Sequence, residues 1–325
     1  MLMNLPIQVM FALLLGILPG LALADPQAEA MLLLNRVYAA TQRLSYTGTF
    51  VYQHDSQSET SRITRIVEGA LIREKLEALD GQPREIVRSG DEVVCYLPAS
   101  TTVRIDKYAG QRSFPAFLPV QLKDLLENYV VRIGEMERVA GYDCHVLNLE
   151  PRDNMRYGHK LWVDAQTGMV IRAKTLDDRN DVMEQFAFAQ LQIGGTIARD
   201  RVKSSFAGKT ASWRVEDAAA VAANLAQAGW TLRASPPGFR KIMELRRTLG
   251  GTADVGHMVL SDGMAAISVF IEPSRQRAAH PELSRQGAIN VYIRQLAGHR
   301  ITVVGEAPAD SVRYVAHAVA YRRPN

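Results

Sequence analysis

Seven histidines, two cysteines and a group of arginines near the C-terminus are the side chains of this 325-residue chain best suited to chemistry. Their spacing decides what kind. His54, His145, His159, His257, His280, His299 and His317 are scattered, whereas zinc ligands usually come in close pairs on one helix or hairpin. His145 and His159 could meet across a hairpin, but both read as polar surface residues. Asp177-Asp178-Arg179-Asn180-Asp181 has the composition of a cation loop. It lacks the bidentate Glu and the spacing of a calcium loop, so it reads as a solvated turn. The sequence holds no Gly-x-Ser-x-Gly elbow, Ser-x-x-Lys, His-Glu-x-x-His or phosphate-cradling glycine loop. No catalytic residue, metal or cofactor is therefore assigned, and the expectation is a non-enzymatic protein. A secreted hydrolase would need a site assembled from unmarked residues.

The compartment is written in residues 1–24. They carry no charged side chain, hold an apolar stretch from Val9 to Leu18, and end Ala22-Leu23-Ala24. An apolar core followed by small residues at the two positions read by signal peptidase is the form of a cleaved export signal. The absence of Lys or Arg before the apolar stretch is atypical. A membrane anchor is the alternative, and the stretch is short for one. No cysteine follows the cleavage site, which argues against a lipoprotein. Export to an oxidising compartment permits a disulfide between Cys95 and Cys144; two separately buried thiols are the alternative. With no Cys-x-x-Cys motif, neither reads as a nucleophile.

Charge is unevenly shared. Residues 25–203 carry 23 basic and 25 acidic side chains, and residues 206–325 carry 15 and 9. The C-terminal part, at +6, should attract anions, which in an exported protein means acidic polypeptide or lipid head groups and not nucleic acid. Arg233, Arg240, Arg246 and Arg247 are the candidates for that contact. Ordinary surface charge is the competing reading of each.

Positioning these residues requires two domains, given about 300 mature residues. Asp25-Pro26 opens a helix well, and Met31, Leu34, Val37, Tyr38 and Leu44 follow at helical spacing. From Ser45 the period becomes two, with Tyr46, Gly48, Phe50 and Tyr52 on one side. Strand-like runs follow at 62–67, 71–78, 84–88, 92–97 and 102–105, then a short helix at 120–128, then strands at 130–139, 142–150, 160–164, 170–175 and 184–193. Close spacing with legible turns, such as Ala140-Gly141, predicts an antiparallel meander. A sheet of some ten strands should curl toward a half-open barrel with a helical lid. Phe50, Tyr52, Val94, Tyr96, Leu149, Trp162 and Phe186 would line its interior, either as filled core or as the wall of an apolar cavity. The organisation expected is a signal peptide over 1–24, the half-barrel over 25–205, a linker over 206–213 and a small α+β domain over 214–325. That domain should hold a helix over 216–228, an antiparallel sheet and a final helix over 309–321. The fold class is mainly β to α+β.

Several segments carry a resemblance. In the first domain they are Gly141-Tyr142-Asp143-Cys144-His145, Leu149-Glu150-Pro151-Arg152-Asp153, and Arg156-Tyr157-Gly158-His159-Lys160-Leu161-Trp162-Val163-Asp164, followed by Thr167-Gly168-Met169. In the second they are Gly229-Trp230-Thr231-Leu232, Pro237-Gly238-Phe239, Ser261-Asp262-Gly263-Met264-Ala265-Ala266-Ile267-Ser268-Val269-Phe270, and Val303-Val304-Gly305-Glu306-Ala307-Pro308. Together, in this order, the chain resembles the RseB/MucB family of periplasmic regulators of the envelope-stress sigma factor. The resemblance implies a first domain like the lipoprotein carriers LolA and LolB, with an apolar groove. It implies binding to the periplasmic domain of a membrane anti-sigma factor of the RseA or MucA type, shielding that partner from proteolysis, and release when lipid or lipopolysaccharide is sensed. A homo-oligomer is compatible with it, and it brings no catalytic residues. A lipid or lipoprotein carrier is the alternative function, with the basic second domain counting against it.

Overall fold

The computed structural model describes residues 26–106, 122–217, 220–274 and 281–323. The expected signal peptide, Asp25, His280 and the start of the helix expected over 120–128 lie outside the described residues. The chain opens with α1 (Pro26–Arg43), whose apolar stripe puts Leu33, Leu34 and Val37 in the core. A meander follows: β1 (Tyr46–His54), β2 (Gln57–Glu68), β3 (Leu71–Ala78), β4 (Glu85–Ser89), β5 (Glu92–Leu97) and β6 (Thr102–Asp106). The short helix α2 (Leu122–Asn128) leads to β7 (Tyr129–Val139), β8 (Tyr142–Pro151), β9 (Gly158–Asp164), β10 (Val170–Leu176) and β11 (Val182–Ile193). The turn between β7 and β8 is tight because Ala140 and Gly141 both adopt positive φ, 49° and 89°, the geometry that matches the twist of a hairpin.

β11 pairs with β1, so the two halves of the meander join into one sheet ordered β6-β5-β4-β3-β2-β1-β11-β10-β9-β8-β7. A twelfth strand, β12 (Arg214–Asp217), adds in parallel beside β6. The end strands β12 and β7 do not pair, so the sheet stays open, as the half-open barrel predicts. One face is inner. Tyr46, Phe50, Ile63, Leu147, Leu161, Phe186 and Phe188 are buried there beneath the apolar stripe of α1. Phe50, Phe186 and Phe188 meet edge to face at 5.8–6.2 Å, the arrangement aromatic rings prefer. Gly48 makes room for them: a Cβ there would lie 2.8 Å from the Phe188 ring.

The remaining strands are β13 (Ala220–Ala222), β14 (Trp230–Leu232), β15 (Arg240–Leu249), β16 (Thr252–Ser261), β17 (Ala266–Pro273), β18 (Glu282–Gln286), β19 (Ile289–Leu296) and β20 (His299–Gly305). Helix α3 (Ala309–Ala318) and β21 (Val319–Tyr321) close the chain. Seven of these strands form a second antiparallel sheet, β13-β15-β16-β17-β20-β19-β18, and β14 pairs with β21 in a separate ribbon. Val312, Val315 and Ala316 of α3 pack into the core of that sheet with Trp230, Ile267, Val269 and Val303.

Four expectations need correction. The helix expected over 216–228 is β12, β13 and a 3-10 turn at Leu225–Ala228; edge pairing with β6 and β15 overrides the helix propensity of its alanines. Because β12 joins the first sheet, the chain returns to that sheet after the linker expected over 206–213. The final helix stops at Ala318, where residues 319–321 turn extended to pair with β14. Cys95 and Cys144 are free thiols. Seven strands separate β5 from β8 in the sheet order. Pairing parity also puts Cys95 on the inner face with Ile86 and Cys144 on the outer face with Trp162. A bridge needs Cα atoms within about 7 Å and Cβ atoms aimed at each other. Burial raises both thiol pKa values, that of Cys144 to about 11, so both are weak nucleophiles.

Candidate functional site: the junction between the two sheets

The loop joining β8 to β9 and the turn joining β16 to β17 meet at a buried ion pair. Arg156 Nη1 donates to Asp262 Oδ2 at 2.7 Å, and neither side chain reaches solvent. Arg156 Nε and Nη2 donate to the two oxygens of Asp153 at 2.9 and 3.1 Å. Nη2 also donates to the Pro237 carbonyl. The guanidinium lies over two rings, Tyr129 from the first sheet at 5.7 Å and Phe239 from the second domain at 5.5 Å. Tyr129 Oη adds a 3.5 Å contact to Asp262. Burial, reinforced by the Asp262 charge, raises the Tyr129 pKa well above the ordinary value, so its hydroxyl stays a donor.

Asp262 holds both sides of this contact. Its Oδ1 accepts from the amides of Met264 and Ala265, which shapes the turn, while Oδ2 faces Arg156. The same turn inserts Met264 into the hydrophobic core of the first domain. Gly238, at φ 75°, packs so closely that a Cβ would meet Asn128 at 2.4 Å. Four further bonds cross the junction. Ser311 Oγ donates to Met155 O at 2.6 Å, Asn290 Nδ2 to Tyr157 Oη at 2.9 Å, Gly287 N to Asp55 Oδ2 at 2.7 Å, and Arg247 Nη2 to Asp106 Oδ2 at 2.7 Å. Beside the ion pair lies a half-open cleft of about 540 Å3, lined among others by Tyr157, Met183, Leu283, Arg285, Asn290 and Asp310.

The residues singled out from sequence fall elsewhere. Phe50, Leu149 and Phe186 are buried on the inner face, and Tyr52 packs beside them with its hydroxyl donating to Glu184 Oε2 at 2.6 Å. Pairing parity places Val94, Tyr96 and Trp162 on the outer face instead. Val94 aligns with Val87 and Lys75, and Tyr96 with Glu85 and Glu77. Trp162 aligns with Arg172 and Val146, while Leu161 beside it faces Ala173 and Phe186. Alternation within a strand says which residues share a side; register decides which side matches across strands. The seven therefore do not line one surface.

The arginines divide similarly. Arg233 and Arg240 are exposed. Arg246 pairs with Asp254. Arg247 is only 10% exposed and tied to Asp106, so it fastens the junction and is not presented to an anion. His159 is not the surface residue expected. It is half-buried with its ring 6.1 Å from that of Tyr129, and lies opposite Leu149, away from His145. Burial pushes its pKa down to about 4. His257 stacks on Phe270 at 4.3 Å, and burial, with the nearby Arg247 charge, likewise pushes it down to about 4. Arg156, Asp262, Met264 and Tyr129 carried no role in the sequence reading. Arg156, Asp262 and Met264 stood in the sequence only inside the resemblance segments, and a lone arginine in a loop carries no signal of burial.

An open antiparallel sheet, docked through a buried ion pair to a smaller α+β domain, defines a two-domain protein of mainly β class. The resemblance segments converge here: Arg156-Tyr157, Pro237-Gly238-Phe239 and Ser261-Asp262-Gly263-Met264 all meet at the junction. The chain belongs to the MucB/RseB family. The family's N-terminal domain matches residues 29–206 and its C-terminal domain residues 224–320. The sigma factor AlgU regulatory protein MucB of Pseudomonas aeruginosa is 31% identical over 94% of this chain and 95% of its own length. The sigma-E factor regulatory protein RseB of Salmonella typhimurium is 26% identical over 93% of each. The solved Pseudomonas aeruginosa MucA/MucB complex superposes with a TM-score of 0.71 at 29% identity, over 90% of this chain and 99% of the matched one.

Proposed function

We propose that this protein is a periplasmic regulator that binds the periplasmic domain of a membrane anti-sigma factor of the MucA or RseA type. Bound there, it protects the partner from regulated proteolysis. It is exported by the signal expected over residues 1–24. The observation that carries this reading is the likeness, across both domains, to the MucB chain of a complex with MucA. The junction supports it physically: a partner that touches both domains reads their relative placement, and buried polar bonds hold that placement in one geometry.

Release comes from lipid or lipopolysaccharide held on the inner face of the open sheet. Each methylene of an acyl chain buried there contributes about 0.8 kcal/mol. Phe50, Tyr52, Leu149 and Phe186 mark the part of that face already filled by side chains, so a ligand would use the wing of β3 to β5. There Leu76, Ile86 and Leu97 are half-buried and share the inner face with Ile63. Lipid displaces the partner only as far as it binds the partner-free arrangement more tightly, and the partner weakens lipid binding by the same factor.

The test is a cleavage assay. Purified mature protein should slow cleavage of the anti-sigma periplasmic domain by its first protease, and added amphiphile should restore the rate. Unchanged cleavage at saturating protein refutes the reading.

A further inference from the structure

On the outer face of the first sheet three cations share one ring. Lys160 Nζ, Arg172 Cζ and Lys174 Nζ lie 4.7, 5.2 and 5.6 Å from the centre of the Trp162 indole. Lys160 and Lys174 are directly opposed on β9 and β10, as are Trp162 and Arg172. Like charges directly opposite on adjacent strands are destabilising. Among the described residues, one carboxylate makes direct contact with this cluster. Glu137 accepts from Trp162 Nε1 at 2.7 Å and reaches Lys160 at 3.6 Å. The Nε of Arg172 is buried without a hydrogen-bond partner. This concentration of positive charge occurs in the domain whose own balance is acidic, 25 acidic against 23 basic side chains over residues 25–203.

The cations extend into a row across the strands. Pairing aligns Arg132, Asn148, Lys160, Lys174 and Gln185 across five adjacent strands with no acid among them. At about 4.8 Å per strand that row spans roughly 19 Å. Arg132 is paired with Glu150, so Lys160, Arg172 and Lys174 supply the excess charge. A row this long exceeds a single small anion. It fits a plane of anions: the Trp162 ring is buried beneath the cations, 2% exposed, and holds their charged ends at the surface.

We propose that this face of β8 to β11 docks on a bilayer surface rich in anionic lipid head groups, through Lys160, Arg172 and Lys174. The contact is separate from the anti-sigma reading, and its failure leaves the cleavage assay above unaffected. Near an anionic surface the attraction of such cations adds up, and salt screens it. The face would then hold the protein close to the membrane independently of any protein partner.

The experiment is co-sedimentation of the mature full chain with vesicles of phosphatidylcholine alone or of phosphatidylcholine with phosphatidylglycerol. Binding is expected only to the second, lost at high salt, and lowered on the order of tenfold or more in Lys160→Glu with Lys174→Glu. Arg322→Glu, an exposed charge on the far domain, should bind as the parent does. Thermal melts and near-ultraviolet circular dichroism establish that each variant is folded. Lys160→Gln with Lys174→Gln gives a second pair, expected to show an intermediate loss. Equal binding to both vesicle types, no binding to either, or unaltered binding by the folded variants overturns the proposal. So does capture by a soluble polyanion such as heparin without any vesicle binding.

Discussion

Two aromatic-cation centres in this molecule look alike in composition and differ in balance. At the junction one guanidinium lies between Tyr129 and Phe239 and meets two carboxylates, Asp153 and Asp262. On the outer face three cations crowd Trp162, and among the described residues Glu137 is the carboxylate that contacts them. The first centre is satisfied within the chain and therefore fixes structure. The second carries surplus charge at the surface and is therefore free to act on something else. Balance, more than burial or residue type, separates a fastening from a docking point.

The largest effects should follow from unbalancing the first centre. Arg156→Ala leaves Asp262 buried without its cation and should lower stability by about 3–5 kcal/mol, read as a fall in the urea midpoint. Asp262→Asn should cost a similar amount, and the double variant less than the sum of the two, since the partners are coupled. If the single variants melt as the parent does, the junction is not held by this pair. Next comes Met264→Ala, which empties a core position at the domain boundary and should cost about 2–5 kcal/mol.

Acid should act through the histidines beside the junction. His159 and His257 have folded pKa values of about 4, below the ordinary 6.5, so the unfolded chain takes up protons first. Their neutral forms support the fold fully above about pH 6.5, and that support is lost as pH falls from there toward 4. Thermal melts between those limits should show the loss. His159→Leu should flatten the pH slope; a slope unchanged in that variant would assign the acid response to the carboxylates. The smallest effects belong to the second centre. Lys174→Ala should change stability by less than about 0.5 kcal/mol or raise it slightly, because it relieves a like-charge cross-strand pair. A large loss there would make the cluster structural and erase the contrast.

Much of the fold was legible because its signals are local. Strands β3 and β5 fall where period two and turn residues put them, and Ala140-Gly141 marks its hairpin. What was not legible depends on register between distant strands. Trp162, Val94 and Tyr96 have the residue types of an inner wall, yet pairing turns them outward. The free cysteines follow from the same cause. The stretch from Glu216 looks helical by composition, and only the edges of two sheets make strands of Arg214–Asp217 and Ala220–Ala222. At the site, Arg156 and Asp262 stand 106 residues apart, so no spacing rule joins them.

The binding reading is tested most directly by titrating the purified mature chain with the periplasmic domain of its anti-sigma partner in a calorimeter. Saturable binding is predicted, weakened in the folded Arg156→Ala variant because the two domains no longer hold one geometry. An absence of binding by the intact, folded chain would contradict the account.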